Sequence, residues 1–157
     1  MCEPTLSQQL FALSKEQNSY DLFAMARQAE ALERTPEQDV RDFHKKFDHP
    51  APDGIVPLLP DEADFRGALI NEEAEEAQEE LMSGNLAGIG AECADLIYVA
   101  VGTLVAYGLP LQPFWDAIHT ANMTKEPNPK GGKPIKPDSW VKPDFPAILL
   151  RIRQCNR

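Results

Sequence analysis

The chain has 157 residues, of which 43% are hydrophobic and 25% are charged, and its formal net charge is −10. This length is enough for one domain with a buried core. The acidic balance argues against a protein that grips a nucleic-acid backbone through a broad basic surface. A small anionic substrate is compatible with it, because a metal ion and a local lysine cluster can reverse the sign of the charge at one site.

The cysteines and the apolar runs indicate the compartment. The three cysteines, Cys2, Cys93 and Cys155, cannot all pair within the chain, which is typical of a reduced, intracellular protein. The N-terminal residues do not show a basic start followed by an apolar core, so we expect no secretory signal. The longest apolar run is interrupted by Gly102 and Gly108 and is expected to be too short to span a bilayer. We therefore expect a cytoplasmic protein whose partners include no membrane and no nucleic-acid polymer.

The first 34 residues have the apolar spacing of amphipathic helices. The positions expected to be buried are Leu6, Leu10, Leu13, Phe23, Ala26, Ala29 and Leu32. We expect residues 1–34 to form a helical extension that packs on the main domain, residues 35–157, or on a partner chain.

The main domain opens with a strong helix start. Thr35 can serve as the N-cap, Pro36 occupies the first helical position, and Gln38 can close a capping box. The helix is expected to continue to about residue 47. Its apolar residues are expected to face inward: Val40, Phe43 and Phe47.

Four further helices are predicted after a loop over residues 48–60, which contains four prolines. They are expected from Asp61, as the cap, to about Ser83, from Leu86 to Tyr107, from about Gln112 to Thr124, and from Pro146 onward. The second of these is almost wholly apolar, which is typical of a helix at the centre of a bundle. Because no strand alternation persists, the predicted fold is an all-α bundle of four to five helices.

Two acidic segments stand out among these helices. Carboxylates three residues apart lie on one face of a helix, so each segment can offer two oxygen ligands in one direction. The two pairs are Glu73 with Glu76 and Glu92 with Asp95. On a helical wheel at about 100° per residue, Glu73 flanks the apolar seam and Glu76 lies just beyond it, whereas Glu72 points away.

Several interpretations of these acids are open. A Glu-rich helix is usually a solvated face, but this explains Glu92 and Asp95 poorly, because their helix has almost no polar face. The two residues could instead be paired with Arg66 or Lys125. Alternatively the carboxylates of both segments converge, and such a cluster needs cations to stay ionised.

The ligand types limit the choice of metal. Di-iron carboxylate bundles use Glu-x-x-His pairs, and neither acidic segment contains a histidine. Ligands that are all oxygen favour the hard cations Mg²⁺ or Mn²⁺. Zinc is not expected, because the cysteines and histidines are scattered without ligand spacing. The sequence therefore predicts a magnesium site that holds a phosphate-bearing substrate.

A lysine-rich segment follows the fourth helix. Its lysines are Lys125, Lys130, Lys133, Lys136 and Lys142. The segment could be a solvated loop or a clamp over a triphosphate. It is not a Walker loop, because proline follows Gly132-Lys133 and no strand precedes it.

Four other side chains have two interpretations each. Tyr98 shares the helix face of Asp95 and could contact a sugar, or it could be a core residue with a satisfied hydroxyl. Trp140 could cap a base or anchor the lysine-rich loop. His44 and His119 are expected to be packed or surface residues rather than catalytic bases, because a charged metal site of this type needs no imidazole.

Three motifs occur in order along the chain: Glu72-Glu73-x-x-Glu76, Glu92-x-x-Asp95-Leu96 and Asn122-x-x-Lys125. In this order they resemble the all-α nucleoside triphosphate pyrophosphohydrolases, which are the MazG-like and phosphoribosyl-ATP pyrophosphohydrolase-like proteins. The resemblance covers about residues 36–145. The helix over residues 40–44 and the loop over residues 132–140 resemble a branch related to the dimeric dUTPases.

The resemblance implies a helical bundle that assembles as a homodimer or a dimer of dimers. It implies that Mg²⁺ supports cleavage of a nucleoside triphosphate between the α- and β-phosphates, which releases the monophosphate and pyrophosphate. The implied metal ligands are Glu73, Glu76, Glu92 and Asp95. The substrate contacts that it implies are Asn122, Lys125, Lys133, Lys136 and Trp140, and Tyr98 is added to them because it shares the helix face of Asp95. Ala91 stands where family members often carry a further glutamate, which leaves the number of metal ions open.

In this interpretation a water held by the metal or by a carboxylate attacks the α-phosphorus. Glu72 or Glu73 would accept its proton. Lys125, with Lys133 or Lys136, would neutralise the charge that builds on the leaving pyrophosphate. The expected protein is thus a hydrolase of a (deoxy)nucleoside triphosphate, with dUTP as one candidate. The alternatives are phosphoribosyl-ATP as the substrate and a non-catalytic helical interaction protein whose acidic helix recruits a basic partner.

Overall fold

The computed structural model describes residues 4–17 and 20–155, with the side chains of residues 17 and 30–33 outside the description. The described residues form seven helices and no strand, which confirms the predicted all-α class. The helices are α1 (Leu6–Gln17), α2 (Tyr20–Glu33), α3 (Pro36–Lys46), α4 (Pro60–Ser83), α5 (Leu86–Ala106), α6 (Leu111–Met123) and α7 (Phe145–Cys155). Cys2 lies outside the described residues.

The chain divides into two compact units between Asp39 and Val40, and the predicted domain ranges stay a prediction. In the first unit α1 packs against α2, and the rings of Phe11 and Phe23 meet edge to face at 5.4 Å. Small residues are the buried ones there: Ala26, Ala29, Ser7 and Ser14. Several larger residues that were expected inside are exposed, namely Leu6, Leu13 and Phe23, and Leu32 lies outside the described side chains.

In the second unit the core lies between α3 and α5. Val40 of α3 packs against Val101 and Val105 of α5, and Ala51 and Leu111 pack against this cluster. Burial of these branched side chains supplies the hydrophobic stabilisation that joins α3, the following loop and α5. α4 runs against α5 over much of its length, so the two acidic segments lie on neighbouring helices.

Local signals set the ends of the helices that carry the site. The predicted capping box of α3 is present, because Gln38 N donates to Thr35 Oγ1 at 3.3 Å and Thr35 N donates to Gln38 Oε1 at 2.7 Å. α4 begins before Asp61, which is therefore not its cap: Leu59 N donates to Glu62 Oε2 at 3.0 Å. Gly84 ends α4 with a φ of 72°, a left-handed conformation that glycine adopts without strain.

α5 differs from the expectation of a wholly central helix. Only its C-terminal half contributes buried residues, whereas Leu86 is 84% and Ile97 is 60% exposed. The helix continues through Gly102, and by length and composition alone it is long and apolar enough to cross a membrane. The expectation that this run is too short was therefore wrong. Core helices of other proteins meet the same criterion, and the match does not by itself indicate a membrane span.

Candidate active site

The two acidic segments meet where α4 runs beside α5. Glu73, Glu92 and Asp95 each place a carboxylate oxygen within 4.8 Å of the other two. Oxygens that bind one Mg²⁺ at about 2.1 Å are at most ~4.2 Å apart, so modest side-chain rotations would close this group around an ion. Glu76, the fourth predicted ligand, is not part of this group, but its carboxyl group is close enough to affect the pKa of both Glu73 and Glu92. We refer to all four residues as the acidic cluster.

The charges of the acidic cluster act on one another. Desolvation, then repulsion from Glu76 and a hydrogen bond with it, raises the pKa of Glu92, and Asp95 and Glu73 add to the effect. Desolvation followed by the charges of Glu76, Asp95 and Glu72 raises the pKa of Glu73. Like charges at this separation favour uptake of a proton or a cation. The cluster is therefore chemically suited to bind a divalent ion through oxygen ligands alone.

Within the described residues, no side-chain cation neutralises the acidic cluster. Arg66 donates through Nη2 to the Val99 carbonyl at 2.7 Å and through Nε to Thr103 Oγ1 at 3.3 Å. Lys125 Nζ donates to Asn122 Oδ1 at 2.7 Å. The alternative in which Arg66 or Lys125 forms an ion pair with the second acidic segment is therefore wrong for this structure.

A cavity of about 470 Å³ adjoins the cluster, and Glu73 and Asp95 form part of its wall. The rest of the wall is largely aromatic, from Phe43, His49, Phe65 and Tyr98. The Phe43 ring meets the Tyr98 ring edge to face at 5.6 Å. Such a cavity, apolar with a few polar groups, is typical of a small-molecule site and has room for a planar ring. We refer to it as the aromatic pocket.

A comparison with protein-family models identifies the family to which this helix pair and its acidic cluster belong. The model of the family described as phosphoribosyl-ATP pyrophosphohydrolase (PRA-PH) matches residues 40–122, more than half of the chain. The chain belongs to this family. The match contains all of α4 and α5, and with them the whole acidic cluster.

The PRA-PH family is part of the MazG-like all-α NTP pyrophosphohydrolase superfamily, so the predicted family is confirmed. The chain is accordingly a nucleotide pyrophosphohydrolase, a class of hydrolase. A comparison with curated proteins gave no match.

Two other predicted site residues of this PRA-PH chain lie near the acidic cluster. Glu72 is exposed beside it, and its charge contributes to the raised pKa of Glu73. Tyr98 lies one turn beyond Asp95 and is 36% exposed at the aromatic pocket. The outward direction that the helical wheel predicts for Glu72 thus agrees with its exposure.

The predicted substrate residues after α6 do not line the aromatic pocket. Trp140 Nε1 donates to the Ala121 carbonyl at 2.9 Å, and Lys136 Nζ lies 4.1 Å from the centre of the Trp140 ring. Of the two interpretations of Trp140, the loop anchor is the one present in this structure. Asn122 is held by Lys125, and Lys133 is exposed.

The sequence interpretation did not include His49 and Phe65 as pocket residues. His49 stacks on both Phe43 and Phe65, with centroid distances of 6.3 Å in each case. A signal was present for Phe65, because Phe65, Leu69 and Glu73 are spaced four apart and share one face of α4. No local pattern marks His49, which lies in the proline-rich loop.

Proposed function

We propose that this PRA-PH protein is a Mg²⁺-dependent nucleoside triphosphate pyrophosphohydrolase. It would cleave a (deoxy)nucleoside triphosphate between the α- and β-phosphates and release the monophosphate and pyrophosphate. The observation that supports this proposal is the convergence of Glu73, Glu92 and Asp95 beside a pocket of nucleoside size. The family match supports the reaction class.

The donor set fits a hard divalent cation. The cluster offers carboxylate oxygens from two helices, and the metal-ligand group found among the described residues includes neither nitrogen nor sulfur. The proposed ligands are Glu73, Glu76, Glu92 and Asp95, which favour Mg²⁺, with Mn²⁺ as the alternative. When bound, the ion would neutralise phosphate charge and polarise a phosphoryl oxygen.

The residues of the chain would bind and orient the substrate and would deprotonate the attacking water. The aromatic pocket would hold the base between apolar rings, with Tyr98 near the sugar, and the phosphates would point toward the acidic cluster. Glu73 and the neighbouring exposed Glu72 are the candidate proton acceptors for the attacking water. Both lie on the first acidic segment, so either would act from the same side of the substrate.

The lysines would act on the outer phosphates. Lys125, Lys133 and Lys136 lie outside the aromatic pocket, so they would contact the part of the triphosphate that extends beyond it. Asn122 would orient Lys125, since its Oδ1 accepts the Lys125 hydrogen bond at 2.7 Å. Cationic groups placed there would stabilise the leaving pyrophosphate.

We also infer a homodimer or a dimer of dimers. Leu86 and Ile97 of α5 and Trp115 of α6 are exposed apolar residues of the second unit. A second copy would cover such residues, and it matches the assembly implied by the sequence resemblance. We further propose that the protein acts in the cytoplasm, which is consistent with the free Cys93 and Cys155.

Phosphoribosyl-ATP is the second candidate substrate, because it is the substrate in the family's own description. A panel assay separates the candidates. The full chain with Mg²⁺ is offered deoxynucleoside triphosphates, including dUTP, their ribose counterparts and phosphoribosyl-ATP, and both products are identified. The monophosphate with pyrophosphate is expected. Release of the diphosphate with orthophosphate would contradict the proposed bond, and activity on phosphoribosyl-ATP alone would favour the second candidate.

A further inference from the structure

Arg66 places a buried positive charge in the wall of the aromatic pocket. The residue is 8% exposed, and its guanidinium donates Nη2 to the Val99 carbonyl and Nε to Thr103 Oγ1. Among the described residues no carboxylate forms an ion pair with it. Among the described residues, every buried polar side-chain atom has a hydrogen-bond partner. Arg66 shows no hydrogen bond through Nη1, so this atom must be accessible. Arg66 thus has a donor without a protein acceptor, and it is one of the residues that line the aromatic pocket.

His44 contributes an acceptor beside this donor. Its ring is 2% exposed, and Nδ1 lies 2.7 Å from the Pro50 carbonyl. Because a carbonyl oxygen can only accept, Nδ1 carries the proton and Nε2 of the neutral ring has a free lone pair. Burial is the main reason that the pKa of His44 is lowered, and the charge of Arg66 lowers it further. The lowered pKa favours the neutral ring at pH 7.

Gly102 of α5 shows that the two groups lie side by side. A side chain at this position would clash with Arg66 Nη2 and would approach His44 Nε2 to 3.0 Å. The absence of a side chain there is what makes room for both groups. His44 and Arg66 both line the aromatic pocket, and both also line an adjoining cavity of about 230 Å³.

We propose that Arg66 and His44 select the base, and that they favour bases with a lactam edge. In a lactam edge a carbonyl oxygen stands beside a ring N–H, as in guanine, hypoxanthine, uracil and thymine. The carbonyl would accept from Arg66, and the ring N–H would donate to His44 Nε2. This inference rests on the proposed function, since it takes the aromatic pocket as the site of the base.

Adenine and cytosine present the opposite order. Their amino group would face the Arg66 donor, and their bare ring nitrogen would face the His44 acceptor. Both protein groups would then lie buried without partners, which is the arrangement that rejects a substrate most strongly. A matched pair of hydrogen bonds discriminates between bases by roughly 10- to 100-fold in kcat/KM.

The substrate itself provides the first test. The full chain with Mg²⁺ is assayed with dITP against dATP and with dUTP against dCTP, since the members of each pair have nearly the same size. The lactam member is expected to have the larger kcat/KM, by roughly 10- to 100-fold, in whichever pair the pocket accepts. The two pairs thereby also distinguish a purine site from a pyrimidine site. Equal values within both pairs, or a preference for the amino member, would overturn the inference and leave the proposed reaction standing.

A binding experiment tests base selection independently of the proposed hydrolysis. Inosine and adenosine, and uridine and cytidine, are titrated calorimetrically without metal as uncharged nucleosides, so that the acidic cluster does not repel a phosphate. Tighter binding of the lactam member would support base selection even if no triphosphate were hydrolysed. Equal affinity within both pairs, or no binding of any of the four, would overturn it.

Variants test the residues. In the pair of nucleotides that the wild type distinguishes, Arg66→Met is expected to lower the kcat/KM of the lactam member. The ratio of the two kcat/KM values would then be close to one. Leu69→Ala, one turn along the same pocket wall, is the matched control and is expected to weaken both members alike. Circular dichroism tests whether Arg66→Met folds. Thr103→Val is the milder second variant: it removes the acceptor of Arg66 Nε and the hydrogen bond that Thr103 Oγ1 donates to the Val99 carbonyl at 3.0 Å, and it is expected to reduce the ratio in part. An unchanged ratio in a folded Arg66 variant, or in Thr103→Val if the first does not fold, would contradict the assignment.

Discussion

The carboxyl groups of Glu76 and Glu92 lie within hydrogen-bonding reach of each other although they belong to different helices. Two carboxyl groups can share a hydrogen bond only when one of them is protonated. The contact therefore links the protonation of the acidic cluster to the packing of α4 on α5. Without a metal, the fully ionised cluster repels itself across this helix pair.

The first prediction concerns the stability of the metal-free protein. The pKa of Glu92 is raised above its usual 4.5, so its protonated form stabilises the fold at acidic pH. That contribution is fully present below the pKa of the unfolded chain and is lost as pH rises through the raised value in the folded protein. Glu92→Gln imitates the protonated form at every pH. In the absence of metal, its Tm is expected to exceed that of the wild type at pH 7 and to match it near pH 4, as measured by calorimetry.

A control separates this effect from net charge. Glu75→Gln removes the same charge from an exposed position of α4 outside the cluster, and a much smaller change of Tm at pH 7 is expected. If the two variants shift Tm equally, the repulsion belongs to the whole chain and not to the acidic cluster.

The second prediction concerns catalysis. Glu73→Gln and Asp95→Asn keep the size of each side chain but remove a charged oxygen ligand. Each is expected to lower Mg²⁺-dependent pyrophosphate release by at least about 100-fold, because a lost metal ligand removes several kcal/mol of transition-state stabilisation. Circular dichroism is expected to show an unchanged fold, and Glu75→Gln serves as the active control. Full activity of either ligand variant would end the assignment of the acidic cluster as the metal site.

The third prediction distinguishes an enzyme from a non-catalytic helical interaction protein. A ligand that binds only the folded state stabilises it by RT ln(1 + [L]/Kd), about 2.7 kcal/mol at a concentration of 100 Kd. Mg²⁺ together with a non-hydrolysable deoxynucleotide is therefore expected to raise the Tm of the wild type. Asp95→Asn is expected to lose most of this shift. If Mg²⁺ and the deoxynucleotide together leave the Tm of the wild type unchanged, the non-catalytic interaction protein would be favoured.

The sequence was informative about the helices because their signals are local. The capping box of Thr35 and Gln38 depends on residues within one turn, and it placed the start of α3 correctly. The predicted end of α4 at about Ser83 is also where this helix ends. Side-chain exposure was harder to predict. Phe43 was expected inside the core, and it is 40% exposed because its ring lines the aromatic pocket.

The candidate site shows the same division between local and distant information. Spacing within α4 and within α5 grouped the carboxylates in pairs, and the pairing of the helices brought Glu73 beside Glu92 and Asp95. The partners of Arg66 could not be predicted in this way, because Val99 and Thr103 lie more than thirty positions away along the chain. Such contacts depend on how two helices are rotated against each other, which a single sequence pattern does not specify.

The fourth prediction tests the anchor of the lysine-rich loop. Trp140→Phe keeps an aromatic ring beside Lys136 but removes the N–H that donates to the Ala121 carbonyl at 2.9 Å. The loss is expected to lower the free energy of unfolding by roughly 1 kcal/mol and to speed limited proteolysis within residues 125–140. Val141→Ala, at a neighbouring position that is 77% exposed, is the control. Equal cleavage rates for wild type and Trp140→Phe would show that the hydrogen bond does not hold the loop.

The fifth prediction tests the space at Gly102. An alanine at this position would clash with the Arg66 guanidinium and crowd the His44 ring, so Gly102→Ala is expected to lower the free energy of unfolding by about 1–3 kcal/mol in urea denaturation. Gly90→Ala is a matched control in the same helix, since nothing lies within 4 Å of a side chain added there. That change is expected to stabilise the protein by roughly 0.5–1 kcal/mol, because alanine has the higher helix propensity. Stabilisation by both substitutions would mean that Arg66 and His44 are free to move away from α5.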